Sequence, residues 1–139
     1  MLKGIYTLLI TLNTPATISV GKLGKVSFPE GHYAYVGSAL NGLSGRINRH
    51  LKEGKRLYWH VDYFLCESKI VEVVYGLTER KKECTLASQL AREMTPVVGF
   101  GCSDCPCKSH LFYCRDFCHM GKIVRNGFKK CALVPRVWE

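Results

Sequence analysis

The sequence predicts an α+β fold, in which strands and amphipathic helices form one domain over residues 1–139. Stretches of apolar, β-branched and aromatic residues alternate with stretches whose apolar residues recur every fourth position, which are the patterns of strands and of helices. The last part of the chain differs, because residues 98–139 are dense in Cys, Gly and Lys. We therefore expect a core over residues 1–97 and a Cys-rich, basic lobe over residues 98–139 that packs on it.

The strands of the core are predicted from their side chains. Residues 3–12 are rich in β-branched and aromatic residues, which favours a strand. Polar and apolar residues then alternate on both sides of a glycine-containing turn, which predicts an inserted hairpin over roughly residues 15–30. Two further strands are predicted at residues 32–37 and 70–75.

Two helices are predicted from apolar residues four positions apart. The first covers residues 43–53 and ends at Gly54, and the second covers residues 82–93 and ends before a proline. Residues 58–65 fit a short buried helix and a strand equally well. In the last third, residues 111–113 and 122–125 are predicted as short strands, the second of them followed by a turn.

The charge of the chain predicts a polyanionic partner. It carries 20 Lys and Arg against 11 Asp and Glu, a formal net charge of +9. A merely basic surface is the alternative to such a partner. Basic residues are concentrated in two segments that can line one groove along a phosphate backbone. The residues predicted to contact nucleic acid are Arg49, Lys52, Lys55, Arg56, Lys122, Arg125, Lys129 and Lys130.

The sequence contains neither a recognisable signal peptide nor an apolar stretch long enough to cross a membrane. We therefore expect a cytoplasmic protein with no membrane partner. Eight cysteines are many for such a protein. In a reducing compartment, clustered cysteines more often bind metal than form disulfides.

Soft metal ligands are concentrated within residues 102–119. Four of them can hold a structural Zn²⁺ tetrahedrally, and disulfides or packed free thiols are the alternatives. The predicted zinc ligands are Cys102, Cys105, Cys107 and His110. Cys66 and Cys84 stand apart in the sequence and are predicted to be core residues. Asp104 and His110 are alternative members of the rim of an active site.

Candidate catalytic residues occur on three of the predicted elements. Arg46 and His50 are four residues apart, so a helix presents a guanidinium that suits phosphate and an imidazole that can move a proton on one face. An ordinary solvated helix face is the alternative. Glu83 begins the second helix, where it is either a capping acid or an oxygen ligand of Mg²⁺. Tyr6 and Tyr35 can share one sheet face if their strands pair.

In this order, these residues resemble the GIY-YIG nuclease superfamily. Gly4-Ile5-Tyr6 and Tyr35-Val36-Gly37 correspond to its two half-motifs, here separated by the inserted hairpin. Arg46-x3-His50 follows at the family's spacing, and Glu83 matches the place of the family's metal-binding glutamate. More narrowly, and nearly end to end, the chain is similar to the DUF123 branch of that superfamily. The segments that carry this similarity include Gly31 to Ala39, Tyr58 to Tyr63, Glu83 to Ala87 and Gly99 to Cys105.

The resemblance implies a small antiparallel sheet of three strands flanked by helices, and hydrolysis of DNA phosphodiester bonds with Mg²⁺ or Mn²⁺. Glu83 would bind the metal, Tyr6 would help activate water, and Arg46 would stabilise the charge of the transition state. Tyr35 and His50 would position groups or shuttle protons. The additional site residues that the resemblance implies are His60 and Gly37.

The resemblance also implies a biological setting. Members of the DUF123 branch occur joined to endonuclease III-like glycosylases, which implies DNA repair and a functional link to such a glycosylase. A catalytically silent nucleic-acid-binding module on the same scaffold is the alternative function.

Overall fold

The computed structural model describes residues 1–102 and 105–139, and it confirms the α+β class. The strands are β1 (Gly4–Leu12), β2 (Ala16–Ser19), β3 (Lys25–Phe28), β4 (Gly31–Ala39), β5 (Lys69–Leu77), β6 (Thr95–Pro96), β7 (Leu111–Cys114) and β8 (Arg136–Val137). The helices are α1 (Leu43–Leu51), α2 (His60–Leu65), α3 (Glu83–Leu90) and α4 (Phe117–Lys130). None of the helices in the described ranges is long and apolar enough to cross a membrane.

The main sheet has six strands in the order β6-β7-β4-β1-β5-β8, and its pairs are antiparallel. Its centre, β4-β1-β5, is the three-stranded sheet that the resemblance implies. The predicted inserted hairpin is confirmed, since β2 and β3 pair as a separate two-stranded sheet. The three additional strands of the main sheet all come from residues after 94. The Cys-rich part of the chain therefore extends the sheet at both edges.

Alternation along the strands separates two apolar layers. Tyr6, Leu8 and Ile10 of β1 are buried with apolar residues of α1, α2 and the hairpin, on what we call the first face of the sheet. Ile5 and Leu9 point the other way, into a cluster with apolar residues of α3 and α4, on the second face. Consequently α1 and α4, the two basic helices, lie on opposite faces.

The strand predicted at residues 122–125 is wrong, because these residues lie inside the 14-residue helix α4. Ile123 and Val124 suggested a strand through their β-branched side chains, but both are buried against the second face. The turn predicted after them is also helical. Gly127 there allows close packing of α4 on α3, since a Cβ at this position would lie 3.1 Å from the side chains of Leu86 and Leu90.

The ambiguous segment at residues 58–65 contains α2. Its start is stabilised by Asp62, whose Oδ2 accepts hydrogen bonds from the backbone N–H groups of Tyr58 and Trp59, both at 2.8 Å. Val61 and Phe64 are fully buried on the first face. The helix is therefore specified by a carboxylate at its N-terminus and by one apolar stripe.

Candidate active site

Tyr6 and His50 form a buried pair on the first face of the sheet. The Tyr6 hydroxyl lies 2.7 Å from Nε2 of His50, and the two residues are only 1% and 2% exposed. β1 and β4 pair with Tyr6 opposite Gly37. A Cβ at Gly37 would lie 2.3 Å from the Tyr6 hydroxyl, so glycine is needed there to make room for it. The two half-motifs thus meet at one hydroxyl group.

Burial keeps both members of this pair uncharged. It raises the pKa of Tyr6, although the nearby guanidinium groups of Arg46 and Arg49 oppose the increase. It also lowers the pKa of His50 to about 4. At neutral pH, Tyr6 is therefore protonated and His50 is neutral. When the imidazole proton resides on Nδ1, the hydroxyl of Tyr6 can donate its hydrogen bond to Nε2.

Two arginines of α1 lie over the ring of Trp59. The guanidinium carbons of Arg46 and Arg49 are 4.6 and 4.3 Å from the ring centroid, a cation–π geometry. Arg46 also donates a hydrogen bond of 2.9 Å to the carbonyl of Ser38 at the end of β4. Ring and carbonyl together hold the Arg46 side chain beside the Tyr6 hydroxyl, where its positive charge acts on that group.

Arg49 forms an ion pair with buried Asp62. Two guanidinium nitrogens lie 3.0 Å from the two carboxylate oxygens, and Nη2 also donates to the carbonyl of Arg56. Burial disfavours the charged carboxylate, but the hydrogen bonds from Arg49, Tyr58 and Trp59 hold the pKa of Asp62 below its ordinary value. The Arg49 guanidinium is therefore held by partners within the protein, and its contact to nucleic acid stays a prediction.

Trp59 and Asp62 are site residues that the sequence reasoning missed. Both belong to the segment that was ambiguous between helix and strand, so their neighbours were unknown. An acidic residue within the apolar run from Val61 to Leu65 was the available signal, because a carboxylate in such a run needs a cationic or hydrogen-bonded partner.

Tyr35 and His60 border the same first-face site. The Tyr35 ring lies 6.1 Å from the His50 ring between centroids, so the predicted sharing of one sheet face is confirmed. His60 instead faces residues before β7: its Nδ1 accepts a hydrogen bond of 2.8 Å from the Gly101 N–H, and its ring packs on Phe100. Burial lowers the pKa of His60. His60 thus fastens the Gly101 backbone next to the Tyr35 ring.

Glu83 lies at the first turn of α3, whose apolar residues pack on the second face. Within the described part of the chain, no hydrogen bond joins it to Tyr6, Arg46 or His50. Its Oε2 atom is buried and lacks a hydrogen-bond partner among the described residues. A carboxylate oxygen in that situation is suited to bind a hard cation such as Mg²⁺.

A cluster of soft ligands lies next to Glu83. The ligand atoms of Cys84, Cys105, Cys107 and His110 all lie within 4.8 Å of one another. This corrects two expectations: Cys84 belongs to the cluster although it was predicted as an isolated core residue, and Cys102 does not. The Sγ of Cys102 instead donates to the carbonyl of Lys108. The described residues form no disulfide, and Asp104 lies outside them.

The predicted nucleic-acid contacts divide into two groups. The first group has partners within the protein and contains Arg49, Lys55 and Arg125. Lys55 donates to the carbonyls of His50 and Lys52 at the end of α1, and Arg125 forms an ion pair of 3.0 Å with Glu72. Five other basic side chains are exposed: Lys52, Arg56, Lys122, Lys129 and Lys130. Since α1 and α4 pack on opposite faces, the two basic segments do not line one groove, which corrects that expectation.

Comparison with known proteins identifies the family. The family described as a domain of unknown function, DUF123, matches residues 5–133. No curated protein and no solved structure matches the chain significantly. Because the family match covers well over half of the sequence, including Tyr6, His50 and the cysteine cluster, this chain belongs to the DUF123 family.

Proposed function

We propose that this chain is a Mg²⁺-dependent endonuclease that hydrolyses DNA phosphodiester bonds in DNA repair or processing. The observation that carries the proposal is the buried hydrogen bond between Tyr6 and His50 beside the guanidinium of Arg46. A hydroxyl, a neutral imidazole and a fixed positive charge are the groups that proton transfer and charge stabilisation at a phosphate require. The repair setting rests on the resemblance to proteins joined to endonuclease III-like glycosylases.

In the proposed reaction, the oxygen of Tyr6 accepts a proton from the attacking water while its own proton passes to Nε2 of His50. The lowered pKa of His50 keeps this nitrogen unprotonated at neutral pH and able to accept. Relaying the proton avoids a free phenolate, which burial strongly disfavours. Arg46, held by Trp59 and Ser38, stabilises the negative charge that develops on the phosphate.

Glu83 is the proposed metal ligand. The fit rests on its buried Oε2 atom, which lacks a partner among the described residues. Bound there, Mg²⁺ would neutralise charge on the scissile phosphate. The first turn of α3 and Tyr35 are connected by a short path: Cys84 Sγ lies 3.9 Å from Nε2 of His110, and Gly101 lies between His110 and Tyr35. This path supports a common site beside β4.

The proposal is tested by cleavage assays on flap, branched, abasic and plain duplex DNA with Mg²⁺ or Mn²⁺. Tyr6→Phe removes the relay hydroxyl and should lower the cleavage rate by about 10² to 10⁴. Tyr33→Phe is the matched control, because that hydroxyl is buried on the same face but donates to the carbonyl of Pro29. Its rate should stay close to that of the wild type.

The metal ligand needs its own pair of variants. Glu83→Gln should abolish metal-dependent cleavage, whereas Glu93→Gln removes the same charge from an exposed residue and should not. The proposal fails if no DNA form is cleaved, or if Glu83→Gln and Tyr6→Phe cleave as fast as the wild type.

A catalytically silent nucleic-acid-binding module is the second candidate, favoured by the exposed basic residues. It predicts salt-sensitive binding to DNA without cleavage. The opposite placement of α1 and α4 allows the binding face to be identified. If the first face binds, Lys52→Glu/Arg56→Glu weakens binding and lowers the salt dependence, whereas Lys129→Glu/Lys130→Glu has little effect. The reverse pattern would place the binding surface on α4.

A further inference from the structure

We infer that Cys84, Cys105, Cys107 and His110 form a tetrahedral site for one zinc ion, which fastens the first turn of α3 to the segment before β7. Three thiols and an imidazole converge with all four ligand atoms within 4.8 Å of one another. The ligands come from two parts of the chain that are 21 or more residues apart in sequence. These four ligands are therefore brought together by the tertiary fold and not by a short sequence motif.

The distances fit a zinc coordination shell. With Zn–S bonds of about 2.3 Å and Zn–N bonds of about 2.1 Å, tetrahedral angles put neighbouring sulfur and nitrogen ligands about 3.6 Å apart. In the structure, Nε2 of His110 lies 3.6 Å from Sγ of Cys105 and 3.9 Å from Sγ of Cys84. Small adjustments therefore suffice to close the shell around an ion. Disulfide bonds would require sulfur atoms about 2 Å apart.

The chemistry of the ligands selects the ion. Thiolates are soft ligands that bind Zn²⁺ well, whereas Mg²⁺ requires oxygen ligands. Four protein ligands fill the tetrahedron and leave no position for water, which is the arrangement of a structural zinc rather than a catalytic one. His110 is 7% exposed and the three cysteines are half-buried, so the ligand atoms lie partly below the protein surface.

The site joins two separate parts of the fold. Residues 97–110 connect β6 to β7 and are held at their base by backbone hydrogen bonds, from Val97 N to the carbonyl of Leu111 and from His110 N to that of Phe100. Cys105, Cys107 and His110 lie on the returning arm of this connection. Cys84 is the one ligand that comes from α3, so through it the ion would join the connection to that helix.

Zinc binding would also affect Glu83, the residue that precedes Cys84. Glu83 precedes it in the first turn of α3, so a metal at the cluster would also set the position of the Glu83 carboxylate. This consequence rests on the proposed nuclease function, whereas zinc binding itself does not. Glu83 would then be positioned from one side by the cluster and from the other by the apolar residues of α3 on the second face.

The site is tested first by metal content and by cobalt substitution. Protein purified from zinc-supplemented cultures should hold one zinc per chain. The Co²⁺-substituted protein should show sulfur-to-cobalt charge transfer and the intense visible bands of a tetrahedral site. Cys84→Ser should reduce zinc affinity by more than about 100-fold. Cys102→Ser, a matched change in the same connection but outside the cluster, should retain the zinc and the cobalt spectrum.

A measurement on the wild-type protein covers the case in which Cys84→Ser fails to fold. Zinc should protect Cys84, Cys105 and Cys107 from alkylation, as mapped by mass spectrometry, while Cys66 and Cys102 are modified with or without it. Protection of Cys102 instead of Cys84 would overturn the assignment. So would protection that is reversed by a reductant but not by a chelator, because that result identifies a disulfide. Neither measurement depends on DNA cleavage, so the zinc site can be confirmed or refuted independently of the proposed nuclease activity.

Discussion

Replacing Gly37 with alanine is expected to force Tyr6 away from His50. The added Cβ would lie 2.3 Å from the hydroxyl and from Cζ of Tyr6, whereas ordinary contacts of a Cβ begin at 3.4 Å. Tyr6 must therefore move by about 1 Å, and it is 1% exposed, so no open space receives it. A shift of that size stretches the 2.7 Å hydrogen bond to His50 beyond bonding distance.

The expected loss of stability has two parts. Overpacking a buried site costs about 1–3 kcal/mol, and the lost hydrogen bond costs about 1 kcal/mol more. Together they should lower the free energy of unfolding by about 2–4 kcal/mol and the urea midpoint by about 1–2 M. Gly45→Ala is the control: a Cβ there would meet nothing within 4 Å outside the backbone of its own helix α1, so alanine should raise the midpoint slightly. A Gly37→Ala midpoint equal to that of the wild type would refute the steric reasoning.

Three further predictions concern charged and titratable groups on the two faces of the sheet. Because burial lowers the pKa of His50 to about 4, stability should be complete above about pH 6.5 and fall by on the order of 3 kcal/mol as the pH drops to 4. Urea unfolding across this window should give a flatter profile for His50→Gln, and an unchanged profile would contradict the assignment. Asp62→Asn leaves the Arg49 guanidinium without its buried counter-charge and should lower the free energy of unfolding by about 3 kcal/mol. Arg125→Gln breaks a partly exposed ion pair with Glu72 and should cost about 1 kcal/mol or less in the same assay, so equal losses in the two variants would contradict this comparison.

Several features of the fold and site were predictable because they depend on local patterns. The strands around Tyr6 and Tyr35 follow from β-branched and aromatic residues, and their shared face follows from alternation once the strands pair. The four-residue spacing of Arg46 and His50 places both on α1. In each case the controlling interactions span a few residues or one strand pair.

Other local patterns were misleading because tertiary packing overruled them. Ile123 and Val124 have strand propensity, yet burial against α3 and the sheet makes them part of a helix. In the segment containing Trp59 and Asp62, periodicity did not distinguish helix from strand. The carboxylate that caps α2 and pairs with Arg49 resolves the ambiguity in the folded chain.

Local sequence patterns were thus sufficient to predict the two half-motifs, the Arg-x3-His spacing and the helices α1 and α3. Only the tertiary structure decided that Cys84 replaces Cys102 in the soft-ligand cluster, and that the basic residues of α1 and α4 lie on opposite faces. The physical reason is common to both. Ligand convergence and surface charge depend on which residues meet across the sheet, and no periodicity along the chain encodes contacts between residues so far apart.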